Sequence, residues 1–477
     1  MILPNGWVMV IGLEVHCELK TATKLFCGCP NMFGDEPNTN VCPTCLGLPG
    51  SLPVLNHEAV ELAMRIGAAL NCQIMPSTFH RKNYFYPDMP KDYQVSQYDE
   101  PINVDGFLVL PDGFRVGVTR AHIEEDTGKS THVGGDGRIH GATHSLVDYN
   151  RSGVPLVEIV SEPDMRTAEQ ARAYVSELRA ILVATGASDG RMEEGSMRVD
   201  ANISVRRSEN DEFGTRCEIK NVNSIRSLGR AIEYEAARQI ELIEAGERVI
   251  QQTRHWNEQE GRTITGRVKE DADDYRYFLE PDLVPLAPDD SWIANVRGNI
   301  AVLPAARRDA VAAATGADAS ATAVATVVDL QLDDLVVAAV QAGADGRIAL
   351  ARASNEVAAD AEAGRALDVA AFTAVIAMES AGEITATQAK TVLGELLANG
   401  GGDPKAIAAK HGFEAMDTSA LDSIVDEIIA ANPNEWQRYK DGDGKVTGFF
   451  VGQVMKATGG KADGKAVTAA LVARAKG

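Results

Sequence analysis

The chain contains no apolar stretch approaching the ~18 residues that a membrane-spanning helix needs, and no charged-then-apolar leader. No membrane association is expected, and a cytoplasmic location is. Positive charge is scarce. Against 68 Asp and Glu stand only 46 Lys and Arg, a net charge of −22. This balance excludes a protein coated for indiscriminate nucleic-acid binding, so a nucleic-acid partner would have to meet a local basic patch. Glycine signatures for nucleotides are missing as well. Thr127-Gly-Lys-Ser-Thr131 imitates the end of a phosphate-binding P-loop, but the glycine required five residues before Gly128 is replaced by Ile123. No Gly-x-Gly-x-x-Gly opens a helix after a strand, which removes support for a dinucleotide fold. Seven cysteines cannot all pair, and five of them lie in the first 45 residues, a distribution unlike a secreted disulfide framework. At 477 residues with 45% hydrophobic content, the chain suits a soluble globular protein of about two to four domains.

What is present begins with Val8–Lys20. Met9, Ile11, Leu13, Val15, Cys17 and Leu19 alternate with Glu14, His16, Glu18 and Lys20, the period of a strand with one apolar and one ionisable face. Thr119–Asp126 repeats the idea, with Arg120, His122, Glu124 and Asp126 sharing a face and Glu125 opposite. Met197–Arg206 alternates most clearly, placing Arg198, Asp200, Asn202, Ser204 and Arg206 together, and Arg216, Glu218 and Lys220 continue the theme. Glu158 interrupts the apolar run Val154–Val160, where an unpaired carboxylate would be costly to bury. A polar cavity, a cation or a metal must meet it. Solvated outer faces of an antiparallel sheet are the bland alternative. Helices are predicted from cap Asn56 to Asn71, over Thr167–Thr185 and over Arg226–Ala245.

Cys27-Gly-Cys29 and Cys42-Pro-Thr-Cys45 form two close thiol pairs across a short loop, matching the tetrahedral demand of a structural zinc; four free core thiols are the alternative. Arg81-Lys82-Asn83-Tyr84-Phe85-Tyr86-Pro87-Asp88 joins cations to aromatics and reads as a loop presenting Arg81 and Lys82 to phosphate or carboxylate. Arg267–Phe278 is a similar loop. Prolines at 281, 285 and 288 mark a domain edge, beyond which alanine dominates and the spacing turns helical. From Trp436 onward eight Lys and Arg face three Asp, a local basic patch with Trp436 and Tyr439 nearby. A solvated helical tail reads equally well on charge alone. Asp441-Gly-Asp443-Gly is no calcium loop, because Val446 stands where that loop requires glycine. Carboxylates with a histidine suit Mg²⁺ or Mn²⁺ and phosphoryl transfer or hydrolysis, without choosing the substrate.

Val10-Ile-Gly-Leu-Glu-Val-His16, Phe26-Cys-Gly-Cys29, Val41-Cys-Pro-Thr-Cys-Leu-Gly-Leu-Pro-Gly50, Arg81–Asp88, His122-Ile-Glu-Glu-Asp126, Met192-Glu-Glu-Gly195, Asp200-Ala-Asn-Ile-Ser204, Asp274-Tyr-Arg-Tyr-Phe278 and Phe449-Phe-Val-Gly-Gln-Val-Met-Lys456 occur in order along the chain. Together they resemble the B subunits of glutamine-dependent aspartyl/glutamyl-tRNA amidotransferases. The resemblance implies an α+β fold. A cradle-like catalytic domain on an antiparallel sheet (1–295, with a zinc loop at 27–45) would precede a helical domain (296–400) and a tRNA-binding helical tail (401–477).

The implied activity is ATP-dependent phosphorylation of the side-chain carboxylate of misacylated Asp-tRNA(Asn) or Glu-tRNA(Gln), then amidation by ammonia from a partner amidase subunit. A small third subunit would complete a heterotrimer. ATP, Mg²⁺ (or Mn²⁺) and structural Zn²⁺ are the implied cofactors. His16, Glu125 and Glu158 match the family's metal ligands. Strand parity favours Glu124 over Glu125 unless an edge bulge reverses it, so Glu125 is ranked first and Glu124 stays open. Glu14, Lys82, Asp200 and Lys220 are chosen for nucleotide and acceptor contacts, with Arg81 beside Lys82 and Glu14 alternatively orienting His16. Glu18 is read as a solvated neighbour. A noncatalytic tRNA-binding scaffold is the alternative function. A free-standing ligase is disfavoured because no nucleophilic cysteine with a partner histidine, and no Ser-Lys amidase arrangement, is apparent.

Overall fold

The computed structural model describes residues 6–134, 141–266, 275–413, 418–458, 462 and 464–476. It divides into two compact units, Met1–Pro304 and Ala305–Gly477. Most of the Arg267–Phe278 loop, residues 267–274, lies outside the described residues.

The first unit is built in the order β1 (Val8–Glu18), α1 (His57–Ala69), β2 (Gln73–Ile74), β3 (His80–Asn83), β4 (Tyr93–Ser96), β5 (Asn103–Val109), β6 (Arg115–Glu125), β7 (Lys129–Val133), β8 (His144–Asp148) and β9 (Pro155–Ser161). It continues with α2 (Ala168–Ala184), β10 (Met197–Arg206), β11 (Cys217–Val222), α3 (Ile225–Glu244), β12 (Thr253–Asn257), β13 (Arg262–Thr265), β14 (Phe278–Leu279) and α4 (Asp290–Gly298). Twelve strands make one sheet, whose main path runs β13-β12-β11-β10-β1-β9-β6-β4-β3-β14; β7 and β8 form a separate hairpin. All pairings are antiparallel except β11 with β12. The α+β expectation holds.

The alternation in β1 is realised. Met9, Ile11, Leu13, Val15 and Cys17 are at most 2% exposed, while Glu14, His16 and Glu18 are half-buried on the other face. The apolar face joins α1, α2 and α3 in a single core with Met64, Tyr174, Leu178 and Ile232. The predicted helices are present nearly to the residue. Asn56 accepts from the amides of Glu58 and Ala59 to cap α1, and Thr167 from Gln170 to cap α2. Gly67 lets α1 lie close to β5, since any side chain there would collide with Asn103. The Asn103 amide uses that space to donate to the carbonyls of Ala63 and Ala121. One face of the sheet is thus sealed by helices, and the ionisable face is left to form a site.

The described residues beyond 304 are helical and contain two separate apolar clusters, one drawn from Val311–Ala408 and one from Leu421–Leu471. Among the described residues no helix is long and apolar enough to cross a membrane.

Candidate active site and metal centres

Register across the sheet assembles the site. β1 lies between β9 and β10, and the pairing sets His16 opposite both Glu158 and Arg198, and Glu14 opposite Asp200. On the far side of β9, His122 of β6 also lies opposite Glu158. One row therefore reads Arg198–His16–Glu158–His122, and the next contains Asp200 and Glu14. These rows are two residues apart along β1, about 7 Å.

His122 and Glu158 of this row, with Glu124 two residues further along β6, form a cluster whose donor atoms lie within 4.8 Å of one another. Glu158 Oε2 is 3.3 Å from His122 Nε2 and 4.0 Å from His16 Nε2, and Glu124 Oε2 is 3.7 Å from His122 Nε2. The carboxylate expected to need a partner has two imidazoles. His122 is fully buried, and neither ring nitrogen makes a hydrogen bond. Burial would lower its pKa, but Glu158 and Glu124 outweigh burial and raise it. Burial alone would raise Glu158; His122, His16 and Lys82 instead hold it well below the ordinary range. Lys82 faces this cluster, and Glu124 and Glu158 keep its ammonium charged against the cost of burial. Tyr275 lies 5.1 Å beneath the Lys82 ammonium, and Tyr277 stacks on Tyr98 at 5.2 Å.

The second cluster is Glu14, Asp200 and Glu218. Lys220 Nζ is 2.5 Å from Asp200 and 3.4 Å from Glu218, and it too remains charged because those carboxylates exceed the burial penalty. The β10–β11 register shifts beside Val199 and Ala201, and Asn221 has a φ of 64°. Such a bulge re-aims the neighbouring side chains.

Two of the residues expected at the site are placed elsewhere. Glu125 is turned to the opposite face of β6, where its Oε1 takes Lys91 Nζ at 2.5 Å and the Val95 amide at 2.8 Å. A register shift does exist in β6, but between Val118 and Arg120, upstream of His122, so parity over His122–Glu125 is undisturbed. Glu124, not Glu125, is brought to Glu158. Arg81 is held by Glu280 through two bonds of 2.7 and 2.8 Å and lies over the Tyr93 ring at 4.2 Å. Neighbours in a strand point to opposite faces, so Arg81 and Lys82 cannot both reach one site. Glu18 is not merely solvated, since burial and Asp126 push its carboxyl up to about 7 beside Arg198 and Arg151. His122 joins the first cluster although no sequence motif singles it out as a ligand; its signal is the parity it shares with Glu124. Glu218, grouped with Asp200 and Lys220 by the strand pattern as resembling an active-site floor, joins the second cluster.

The four thiols Cys27, Cys29, Cys42 and Cys45 converge within 4.8 Å, and all are free. The Cys45 thiol is held down to about 5, chiefly by its hydrogen bond with Cys27, then by the Cys42 amide and Lys24. Lys24 is fully buried, its Nζ donating to the Tyr149 carbonyl at 3.2 Å. A cation beside the quartet suits a set of thiolates around a metal. Cys45, Lys24 and Glu125 all come within 4 Å of where a side chain on Gly153 would begin. Glu125 thus faces the cysteine loop.

The domain described as GatB/GatE catalytic domain matches residues 9–294, and the one described as GatB domain matches residues 334–474. The B subunit of the aspartyl/glutamyl-tRNA(Asn/Gln) amidotransferase of Frankia casuarinae is 50% identical, covering 98% of this chain and 95% of its own. Its counterpart in Nocardia farcinica is 50% identical over 97% and 95%, and that of Streptomyces coelicolor 49% over 95% and 93%. The chain belongs to this B-subunit family. In this member the polar face of β1 carries Glu14 and His16, which meet β9 and β10 beside the two carboxylate clusters.

Proposed function

We propose that the chain is the kinase and transamidase subunit of a cytoplasmic tRNA amidotransferase, acting on misacylated Asp-tRNA(Asn), Glu-tRNA(Gln) or both. The observation that carries this reading is the pair of carboxylate clusters on one sheet face, each with its own lysine. Amidation of a carboxylate needs a leaving group, because a carboxylate oxygen departs poorly. Transfer of the γ-phosphoryl group of ATP to a side-chain oxygen forms one P–O bond and breaks the β,γ-bridging one, releasing ADP. Ammonia then attacks the acyl carbon, the C–O bond to phosphate breaks, and the nitrogen loses a proton to leave the amide.

Two anions must meet for the first step, so the site must supply positive charge. Lys82 and Lys220 are placed to do so, each kept protonated by carboxylates. The donor set of the first cluster, with His16 alongside, fits Mg²⁺ or Mn²⁺. Bound there, such an ion would neutralise phosphate charge. His16 and Glu158 are taken as ligands on the motif, with Glu158 further supported by its cluster with His122 and Glu124; Glu124 is preferred to Glu125. Glu14 and Asp200 would act at the second cluster, where Asn202 Nδ2 holds Glu14 Oε1 at 2.9 Å. The cysteine quartet fits a structural zinc with no open position. Ammonia would come from an amidase subunit in a complex braced by a small third subunit.

The test uses the reconstituted complex, labelled ATP and misacylated tRNA. His16→Ala and Glu158→Ala are each expected to abolish tRNA-dependent phosphate release. Release at the wild-type rate would overturn the kinase assignment and leave a tRNA-binding scaffold.

A further inference from the structure

The thiol quartet has an open side and a closed one. Gly28, between the first two cysteines, is exposed with no atom within 4 Å of where its side chain would begin. Cys27, Cys29 and Cys42 are half-buried. On the closed side Cys45 is 6% exposed, and Lys24 beside it is not exposed at all. Resting on the zinc reading above, we propose that the quartet is a reversible oxidation site for peroxide, and that Lys24 converts its oxidation into a loss of fold stability.

The cation is built by the same turn as the thiols. The Lys24 amide donates to the Cys29 carbonyl at 3.0 Å, and the Leu25 amide to the Gly153 carbonyl at 2.9 Å. The Lys24 stem and the Cβ of Cys45 each lie 3.7 Å from where a side chain on Gly153 would begin. The Lys24 ammonium donates to the Tyr149 carbonyl, and among the described residues no carboxylate pairs with it. Glu125, which reaches the same niche, is committed to Lys91 and the Val95 amide. A neutral carbonyl does not cancel a buried charge. Four thiolates around Zn²⁺ leave a net negative charge, so the metal centre itself is the counter-ion of Lys24.

Oxidation needs a second thiol within reach of the first. Cys27 is hydrogen-bonded to Cys45, and Cys29 to Cys42, so the four close as two nested pairs. From the open side, the Cys27 sulfur attacks one oxygen of hydrogen peroxide. The O–O bond breaks, hydroxide leaves, and a sulfenic acid remains. The Cys45 sulfur then attacks the Cys27 sulfur, the S–O bond breaks, and a second hydroxide leaves. Two thiolates have given up two electrons, and peroxide with two protons has become two waters. Zinc, left with two protein ligands, departs, and the remaining thiolates take up protons. Lys24 is then buried without its counter-ion. A reducing thiol reverses the disulfide, and zinc can bind again.

The test treats the reduced, reconstituted complex with hydrogen peroxide. Zinc passing to a chromogenic chelator is expected to approach one equivalent per chain. Peptide mass mapping should find Cys27 joined to Cys45, with the deeply buried Cys17, Cys72 and Cys217 still reduced as internal controls. Dithiothreitol with added zinc should restore the starting material. The melting midpoint should fall by about 5 °C or more in the wild type. It should fall by less than half as much in Lys24→Met, whose apolar side chain needs no counter-ion. Four intact thiols at a peroxide concentration that oxidises the exposed Met32 would overturn the oxidation site. An equal fall in both proteins would overturn the role of Lys24. A reduced wild-type complex that holds no zinc would overturn the metal reading alone. The disulfide map would still decide the oxidation site, because it does not depend on zinc.

Discussion

The two kinds of candidate metal centre in the first unit are made in opposite ways. The thiol quartet gathers four residues from a stretch of nineteen, Cys27 to Cys45, by folding one loop back on itself. The carboxylate–histidine clusters draw on β1, β6, β9, β10 and β11, and nothing but strand register brings them together. A local centre depends on its own loop and can be damaged without disturbing the sheet. An assembled centre depends on parity, so one residue's shift in register would exchange its donors for core side chains. The two kinds meet at Gly153, where Glu125 faces the cysteine loop from the strand whose next residue back, Glu124, joins His122 and Glu158.

That shared strand gives the most direct way to break the comparison. Glu124→Gln is expected to reduce tRNA-dependent phosphate release at least ~100-fold, the scale of a lost metal or charge contact worth several kcal/mol. Thermal stability should fall only modestly, since the charges of Lys82 and His122 that hold Glu124 low keep Glu158 as a partner. Glu125→Gln should do the reverse. It breaks the pair with Lys91, whose side chain is 8% exposed, and leaves a buried cation uncompensated. A loss of about 3 kcal/mol in stability is expected, with the chemistry retained in the folded fraction. Urea titration and phosphate release on the same preparations check both. If Glu125→Gln kills turnover without lowering stability, Glu125 is the ligand and parity has misled.

Arg81 and Lys82 sharpen the same point with adjacent residues. Lys82→Ala should cut phosphate release about 10- to 100-fold and leave the unfolding midpoint near wild type. Arg81→Ala strands Glu280, which is 1% exposed, and should cost about 3 kcal/mol of stability with a smaller change in kcat. Equal kinetic defects in the two variants would mean that both cations reach the substrate.

At the local centre, Cys42→Ser is expected to lower zinc stoichiometry and shift the melting curve downward by several degrees. At a temperature where the variant stays folded, its kcat should remain within a few-fold of wild type. Metal analysis that finds no zinc in the wild-type protein, with a melting curve indifferent to chelator, would end the zinc assignment.

How much of this is legible in the sequence follows the same division. Helices α1, α2 and α3, the alternation of β1 and β10, and the thiol quartet are set by neighbours, and the spacing of those neighbours displays them. Glu158 stands out as a carboxylate in need of a partner, but His122 is supplied only by the pairing of β6 with β9. Arg81 looks available because nothing near it in sequence opposes its charge; its partner Glu280 is 199 residues away. Resemblance ranks Glu125 above Glu124, against a parity argument that the sheet geometry supports. The unseen parts are those requiring knowledge of which strands are neighbours.

The basic tail is a local feature too, and its structure spends part of the charge that the sequence displays. Arg438 pairs with Asp443, and Arg474 with Asp422 and Asp426. Trp436 and Tyr439 stack at 5.2 Å and pack on the cluster around Phe450, so their rings serve the fold. Among the described residues, Lys440 and Lys456 remain exposed without an ion pair. A small effect is therefore expected from Lys440→Ala combined with Lys456→Ala. Affinity for tRNA should fall a few-fold, equally for cognate and noncognate molecules. The slope of log K against log salt should flatten by about 1.5, two contacts at roughly 0.7–0.9 each. Truncation after Phe413 should produce a larger loss of the same kind and spare the cluster that ends at Ala408. Cutting at residue 401 would confuse the result, because Ile407 and Ala408 belong to that cluster. An unchanged salt slope after truncation would show that the tail does not touch phosphate. The tRNA would then be held by the first unit or by partner subunits.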